Sequence, residues 1–233
     1  MQYSTFAAID IGSYDVILEI FEISKKQGIR SVDKICHRME LGKDTYTLGK
    51  IRPEMEEELC RVLADFVRIM EGYRVDDYRA TASSAISEAS NSLYVLGKIH
   101  QLTGLSVTVL SNSEQRFLSY KALAAMEDNF NKIIERGTAI LDLDGGSFQI
   151  SLFDKDALVT TQNIRMGSLR VRERLAGIQS ETEHYEEMVE ELIWNEVSSF
   201  KKMYLKDRKI ENIMLIGDVF TDSVYQNIEE KTT

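Results

Sequence analysis

The hydrophobic pattern at the start of this chain is that of strands. YSTFAAIDI and DVILEIFEI are β-rich runs of apolar residues interrupted by single polar ones. The two runs flank Gly12-Ser13-Tyr14, and IRSVDKICHRMEL continues as a third, so three antiparallel strands are predicted. The period then lengthens. Pro53 stands where the first residue of a helix belongs, and Met55, Leu59, Leu63, Phe66, Val67 and Met70 recur at helical spacing up to Gly72. VDDYRATA reads as a strand, AISEASNSLYVLGKIHQLTG as a helix closed by Gly104, LSVTVLS as a strand, and Ser113 to about Asp128 as a helix.

The pattern then restarts. GTAILDLDGG, SFQISLFD and ALVTTQNIR are again three strands, followed by a helix from Ser168 and a long one from Glu183 to Tyr204. Tyr185, Met188, Val189, Leu192, Ile193, Val197 and Phe200 line one face of that long helix, which reads first as core packing and second as an association surface. ENIMLIG is a buried strand and DVFTDSVYQNIEE a last helix. No Pro/Gly-rich linker separates the halves, so the restart alone divides the chain into a first lobe, residues 1–125, and a second, residues 126–233.

Composition narrows the class. The chain has 233 residues, 43% hydrophobic and 28% charged, ample for a two-lobed globular protein. With 38 acids against 28 bases the formal charge is -10, which repels nucleic acid and anionic membranes at long range but leaves room for a local anion site. Cys36 and Cys60 lie in different elements and read as buried, reduced thiols. The three histidines, His37, His100 and His184, are too scattered for a zinc site. The opening has neither a basic segment nor a long apolar run, so a cytoplasmic location is expected.

Candidate chemistry sits at the first turn of each half. Asp10-Ile11-Gly12-Ser13 and Asp142-Leu143-Asp144-Gly145-Gly146-Ser147 both place a strand-end carboxylate before Gly and Ser. Glycine lets a backbone approach phosphate closely, serine adds a hydroxyl donor, and a strand-end aspartate holds Mg²⁺ beside the anion. One such turn is a weak signal; its repetition at equivalent places in two halves is stronger.

These turns, with ATASSAISEASN and VTVLSNSEQRFLSYKAL between them, resemble the exopolyphosphatase/guanosine pentaphosphate phosphohydrolase family of the actin and sugar-kinase superfamily. That family is marked by D-I-G-S-N-S-x-R-L, A-T-S-A-x-R-E-A-x-N, S-G-x-E-E-A-x-L and D-I-G-G-G-S-T-E, in that order. The resemblance implies an α/β fold of two actin-like, ribonuclease H-like lobes, each a mixed sheet opening with three antiparallel strands and flanked by helices, with a cleft between them. It also implies Mg²⁺ or Mn²⁺, and as substrate a polyphosphate or guanosine tetra- or pentaphosphate, cleaved by water that a glutamate activates. Gly12, Ser13, Ser83, Gly145, Gly146 and Ser147 take the phosphate-binding positions, Asp10, Asp142 and Asp144 the metal positions, and Glu88 and Asn91 match the helix motif. Homodimers are common in that family.

The departures fall on working positions. The family's catalytic base is Gln115 here, while Glu114 keeps the preceding glutamate and Asp142 remains beside the second loop. A neutral amide cannot take a proton from water, and general-base help is worth roughly 10²- to 10⁴-fold. Glu114 is no automatic substitute, because one helical step turns a side chain by about 100°. Gln149 replaces another glutamate, Ser87 an arginine and Ser83 a threonine. In the first loop Tyr14, Asp15 and Ile17 replace Asn, Ser and Arg, and in the second Asp144 replaces Gly. Asp144 is either an extra metal ligand or a residue tolerated for its ease in left-handed backbone, the latter favoured. Like charges about 4 Å apart cost about 1 kcal/mol in water and about 4 kcal/mol at an effective dielectric of 20, so Asp15 and Asp144 oppose bare phosphate. The segment IGDVFTD carries one glycine where the family has several, so the second lobe is short.

The expectation is a protein that binds polyphosphate or a guanosine polyphosphate with hydrolysis weak or lost. The alternatives are an active phosphoric-anhydride hydrolase that releases terminal phosphate with Mg²⁺, and a nucleotide-binding, actin-like regulatory protein.

Overall fold

The structure, a computed structural model, describes residues 3–126, 130–179, 184–206 and 208–217. The chain divides into two compact units, Met1–Gln115 and Arg116–Thr233.

The first unit opens with the antiparallel strands β1 (Ser4–Ile11), β2 (Asp15–Ser24) and β3 (Gly28–Arg38). Ala7, Ile9 and Ile11 of β1 and Val16, Leu18 and Ile20 of β2 turn to one face and are fully buried, since alternate residues of a strand share a face. Two helices follow, α1 (Leu41–Leu48) and α2 (Pro53–Tyr73), then β4 (Asp77–Ala82), α3 (Ser84–Ser87), α4 (Ser92–Thr103) and β5 (Val107–Val109). The sheet order is β3-β2-β1-β4-β5, with β4 parallel to β1 and β5 parallel to β4. Pro53 starts α2, and its stripe Leu59, Leu63, Phe66 and Met70 joins Val95 and Ile99 of α4 on the buried sheet face. Gly104 ends α4 in left-handed backbone at φ 73°, where glycine is the residue without strain.

A helix from α5 (Asn112–Met126) leads onward; the division between the units falls within it, and the sequence boundary after residue 125 lies near its end. The second unit continues with α6 (Phe130–Ile134), the antiparallel strands β6 (Thr138–Leu143), β7 (Phe148–Asp154) and β8 (Ala157–Ile164), then α7 (Ser168–Gln179), α8 (Tyr185–Tyr204) and β9 (Asn212–Ile216). Its order, β8-β7-β6-β9 with β9 parallel to β6, repeats the β3-β2-β1-β4 arrangement. Both sheets are therefore mixed and flanked by helices, the predicted α/β architecture. Each face of the second sheet has its own cluster. Phe130, Ile134, Ile140 and Phe153 gather on one, Ile150, Leu152, Ile164 and Phe200 on the other.

Several expectations need correction. Residues 85–104 form two helices, not one, with the chain broken at 88–91. α1 and α6 were not foreseen. Cys60 is buried but Cys36 is exposed. Of the apolar row on α8 only Phe200 is buried. The helix expected over DVFTDSVYQNIEE lies outside the described residues. Among the described residues no helix is long and apolar enough to cross a membrane.

Candidate functional site

In the first unit the parallel strands β1, β4 and β5 end on the same edge of the sheet, which brings together residues far apart in sequence. Ser83 lies beside the first loop, its N–H donating to Ile11 O at 3.2 Å, and Leu110 N–H donates to Ala82 O at 2.9 Å. Asp10 lies near the end of β1, Gly12 and Ser13 follow it, Ser83 follows β4, and Glu114 and Gln115 come after β5. The turn after β1 is tight: Gly12 N–H donates to Asp15 O at 2.9 Å, and a Cβ at Gly12 would stand 2.9 Å from that oxygen. Gly12 has no positive φ, so close approach is the reason for glycine here.

Ser13 is 4% exposed, its Oγ 2.7 Å from the Tyr46 hydroxyl and 3.3 Å from Ser84 Oγ, while Tyr46 and Ser84 are 2.8 Å apart. Ser13 O accepts from Gly42 N–H at 2.9 Å. The serine thus fastens its loop to α1 and α3 by its side chain and carbonyl. Among the described residues its amide has no acceptor in the chain. Asp10 lies on the more open sheet face, with the Thr81 hydroxyl within 3.5 Å. The negative charge expected from Asp15 is met by Arg38, whose guanidinium donates to both carboxylate oxygens and lies over the Tyr14 ring at 5.1 Å. The expected repulsion at the first loop is thereby offset.

Glu114 has a structural duty. Its carboxylate accepts from Ser111 N–H at 2.9 Å and from the Ser111 hydroxyl at 2.7 Å, and Ser111 Oγ accepts from Glu114 N–H at 3.3 Å. This is the capping box that begins α5. The Ser111 amide, then its hydroxyl, and the charge of Arg79 hold the Glu114 carboxyl below its usual range. Gln115 follows, its N–H donating to Ser111 O at 3.0 Å.

In the second unit the turn after β6 is locked against α7. Asp144 N–H donates to Ser147 O at 3.0 Å; Asp144 O accepts from Ser168 N–H at 3.1 Å, and Gly145 O from Arg170 N–H at 3.0 Å. Arg170 Nε donates to Gly146 O at 2.8 Å. Gly167 presses backbone on backbone: a Cβ there would stand 2.3 Å from Ser147 N and 2.4 Å from Asp144 O. With its carbonyls so engaged, the loop leaves its donors. Among the described residues, the amides of Gly145, Gly146 and Ser147 have no acceptor in the chain, and the buried Ser168 hydroxyl beside the loop has no partner. Unpaired amides in a fixed glycine turn form an anion-binding concavity. Asp144 has no positive φ, so the left-handed explanation for it does not hold.

Below this loop lies a polar floor. Asp142, Gln149 and Asn163 stand opposite one another across β6, β7 and β8, with Gln149 buried and Asn163 Nδ2 3.5 Å from Ser147 Oγ. The next rung holds Ser151 and Thr161, 3.2 Å apart. From α5, Arg116 Nη1 donates to Thr161 Oγ1 at 3.0 Å, Ser119 Oγ lies 3.4 Å from Asp142 Oδ2, and the Tyr120 hydroxyl donates to Ser151 Oγ. Burial pushes the Tyr120 phenol up, so it remains a donor. Gln149 spares this floor another buried carboxylate beside Asp142. Arg116, Gly167, Ser168 and Arg170 were not foreseen. Arg116 had a signal, since it stands where the S-G-x-E-E-A motif has alanine; the others are set by packing that no local pattern encodes.

Among the described residues no three His, Cys, Asp or Glu side chains converge as a metal site. What exists is hard oxygen in small number: Asp10 at one loop, Asp142 and Asp144 at the other. Magnesium ordinarily takes one or two carboxylates and completes its shell with water and phosphate oxygens, so the carboxylates of the second loop fit it by themselves.

The sequence profile of the Ppx/GppA phosphatase family matches residues 19–233. A bifunctional 3-dehydroquinate synthase/phosphatase of Fusobacterium nucleatum is 21% identical over 238 residues, covering 97% of this chain and 34% of that protein. Exopolyphosphatase 1 of Mycobacterium leprae is 25% identical over 144 residues, covering 61% and 41%. The chain thus spans about two fifths or less of the length of these relatives. An exopolyphosphatase structure from Cytophaga hutchinsonii superposes with a TM-score of 0.78 at 20% identity, over 98% of this chain and 72% of that one. A Ppx/GppA family member of Aquifex aeolicus gives 0.71 at 22% identity, over 97% and 71%. At these identities the structures speak for the fold.

Proposed function

The chain belongs to the Ppx/GppA phosphatase family, and we propose that it binds a phosphate chain, polyphosphate or guanosine tetra- or pentaphosphate, with hydrolysis weak or lost. The observation that carries this reading is the 144–147 loop, whose three amides lack acceptors among the described residues above a floor containing Asp142. Gly145, Gly146 and Ser147 donate to phosphate oxygens; in the first unit Gly12, Ser13 and Ser83 form another loop of the same kind. Asp142 and Asp144 would hold Mg²⁺ or Mn²⁺ at the second loop, and Asp10 is the carboxylate of the first. When bound, the ion neutralises charge on the phosphate oxygens.

Proton removal is the missing step. Gln115 orients water but accepts no proton. Glu114 would have to give up both hydrogen bonds from Ser111 to serve instead.

The test is orthophosphate release from long-chain polyphosphate and from guanosine pentaphosphate with Mg²⁺ or Mn²⁺, alongside thermal-shift titration of each compound. Binding without appreciable turnover is expected, and Gln115→Glu should raise the rate by about 10²-fold or more. Brisk turnover by the unaltered protein, with Gln115→Glu neutral, would point to an active hydrolase that uses glutamine to position water. No thermal shift with any phosphate chain would overturn the binding itself.

A further inference from the structure

The Ser168 hydroxyl is buried and has no hydrogen-bond partner among the described residues, and we propose that it is a further anion-binding group, a fourth donor beside the amides of Gly145, Gly146 and Ser147. The proposal rests on the reading of the 144–147 loop as a phosphate site and extends that site to α7, outside the loop motif. A serine in the first turn of a helix ordinarily spends its hydroxyl on nearby backbone, accepting from an N–H two or three residues on or donating to the carbonyl four residues back. Here those groups are committed elsewhere. Arg170 N–H donates to Gly145 O at 3.0 Å, Val171 N–H to Gly167 O at 2.9 Å, and Ile164 O accepts from Met166 N–H at 2.7 Å.

Position and charge select the ligand. Ser168 N–H donates to Asp144 O at 3.1 Å, and the preceding Gly167 lies so close to the loop that a Cβ there would stand 2.3 Å from Ser147 N. The hydroxyl therefore belongs to a residue already bonded to the loop, and one staggered step about its Cα–Cβ bond changes which way it faces. Most buried polar groups are paired, so an unpaired hydroxyl beside three amides without acceptors marks a place built for a ligand. Donors gathered in this way select an anion. The carbonyls that would repel it are occupied: Gly145 O accepts from Arg170 N–H and Gly146 O from Arg170 Nε at 2.8 Å. Helix α7 starts at Ser168 and adds the positive end of its dipole. Three amides and a hydroxyl match the oxygens of a single phosphoryl group.

The experiment is calorimetric titration of inorganic triphosphate with Mg²⁺ into the full chain and into Ser168→Ala, together with thermal unfolding of both without ligand. The two readouts should move in opposite directions. Ser168→Ala should melt about 2–4 °C higher, because a buried unpaired group has been removed. It should bind triphosphate about tenfold or more weakly, because a hydrogen bond to a charged group has been lost. Ser168→Thr keeps the hydroxyl and should bind within about threefold of the wild type. A serine that only packs or caps moves stability alone. If the wild type binds triphosphate and Ser168→Ala binds it equally well, Ser168 is not a ligand, and the loop site stands without it. If Ser168→Ala melts lower without ligand, the hydroxyl is already satisfied within the fold and the proposal is overturned. If the wild type binds no triphosphate, the loop reading and this extension of it fall together.

Discussion

Asn91 shows how a motif residue can serve the fold. Its side chain pairs with the backbone of Ile51 as a strand would, Oδ1 accepting from the N–H at 3.0 Å and Nδ2 donating to the carbonyl at 2.8 Å. Nδ2 also donates to the buried Glu56 at 2.8 Å. Asn91→Ala should therefore cost about 2–4 kcal/mol in urea unfolding, since buried partners are left unpaired. Anion binding should survive wherever the variant is folded. Ser111 tells a similar story: Ser111→Ala removes the α5 cap and should cost about 1 kcal/mol. The pH dependence is set by Glu114. Its carboxyl is held below the usual range in the folded chain, so its stabilising contribution is complete above its unfolded pKa of about 4.3 and disappears as pH falls through the lowered folded value. The stability difference between the wild type and Glu114→Gln should be present at neutral pH and vanish in acid. The sequence marked Asn91, Glu114, Asp142 and the loop glycines as special, but only contacts show which of them are structural, because a motif records position and not partner.

Elements were legible wherever periodicity is strong. The β-rich runs became β1, β2, β6, β7 and β8, and α2 follows its stripe between Pro53 and Tyr73. α1 was not, because LGKDTYTL has no apolar period; it is held by tertiary bonds, Thr45 Oγ1 to Ala85 O at 2.6 Å and Arg52 to the buried Asp44. The break between α3 and α4 was hidden for the same reason, since residues 88–91 look helical and leave the helix so that Asn91 can reach Ile51. Gly167 is the sharpest case at this scale. In sequence it is a glycine before a helix, whereas in the fold it is where the start of α7 presses on the 144–147 loop. Gly167→Ala would place a Cβ 2.3–2.4 Å from three backbone atoms, so the loop must shift. A loss of about 1–3 kcal/mol in urea unfolding is expected, with the phosphate-dependent thermal shift abolished. An unchanged thermal shift would mean that the loop is not the anion site.

Across the whole molecule the two units share a strand order but not a core. Among the described residues the first unit packs 23 buried side chains into one cluster, whereas the second divides its core into clusters of four on opposite sheet faces. Fully burying a large apolar side chain is worth about 1.5–3 kcal/mol, and a core split by its own sheet gathers fewer such groups. The second unit should therefore unfold first. Trp194 lies in it, so tryptophan emission should change at a lower temperature than the later part of the far-ultraviolet circular dichroism. A phosphate chain held by the 144–147 loop stabilises only the unit that contains the loop, by about 2.7 kcal/mol at a hundredfold excess over Kd. The lower transition should climb toward the upper one as ligand is added. An upward shift of both transitions together would count against a ligand held by the second unit alone. A single transition by both probes without ligand would show that the units unfold as one, and that the divided core does not govern stability.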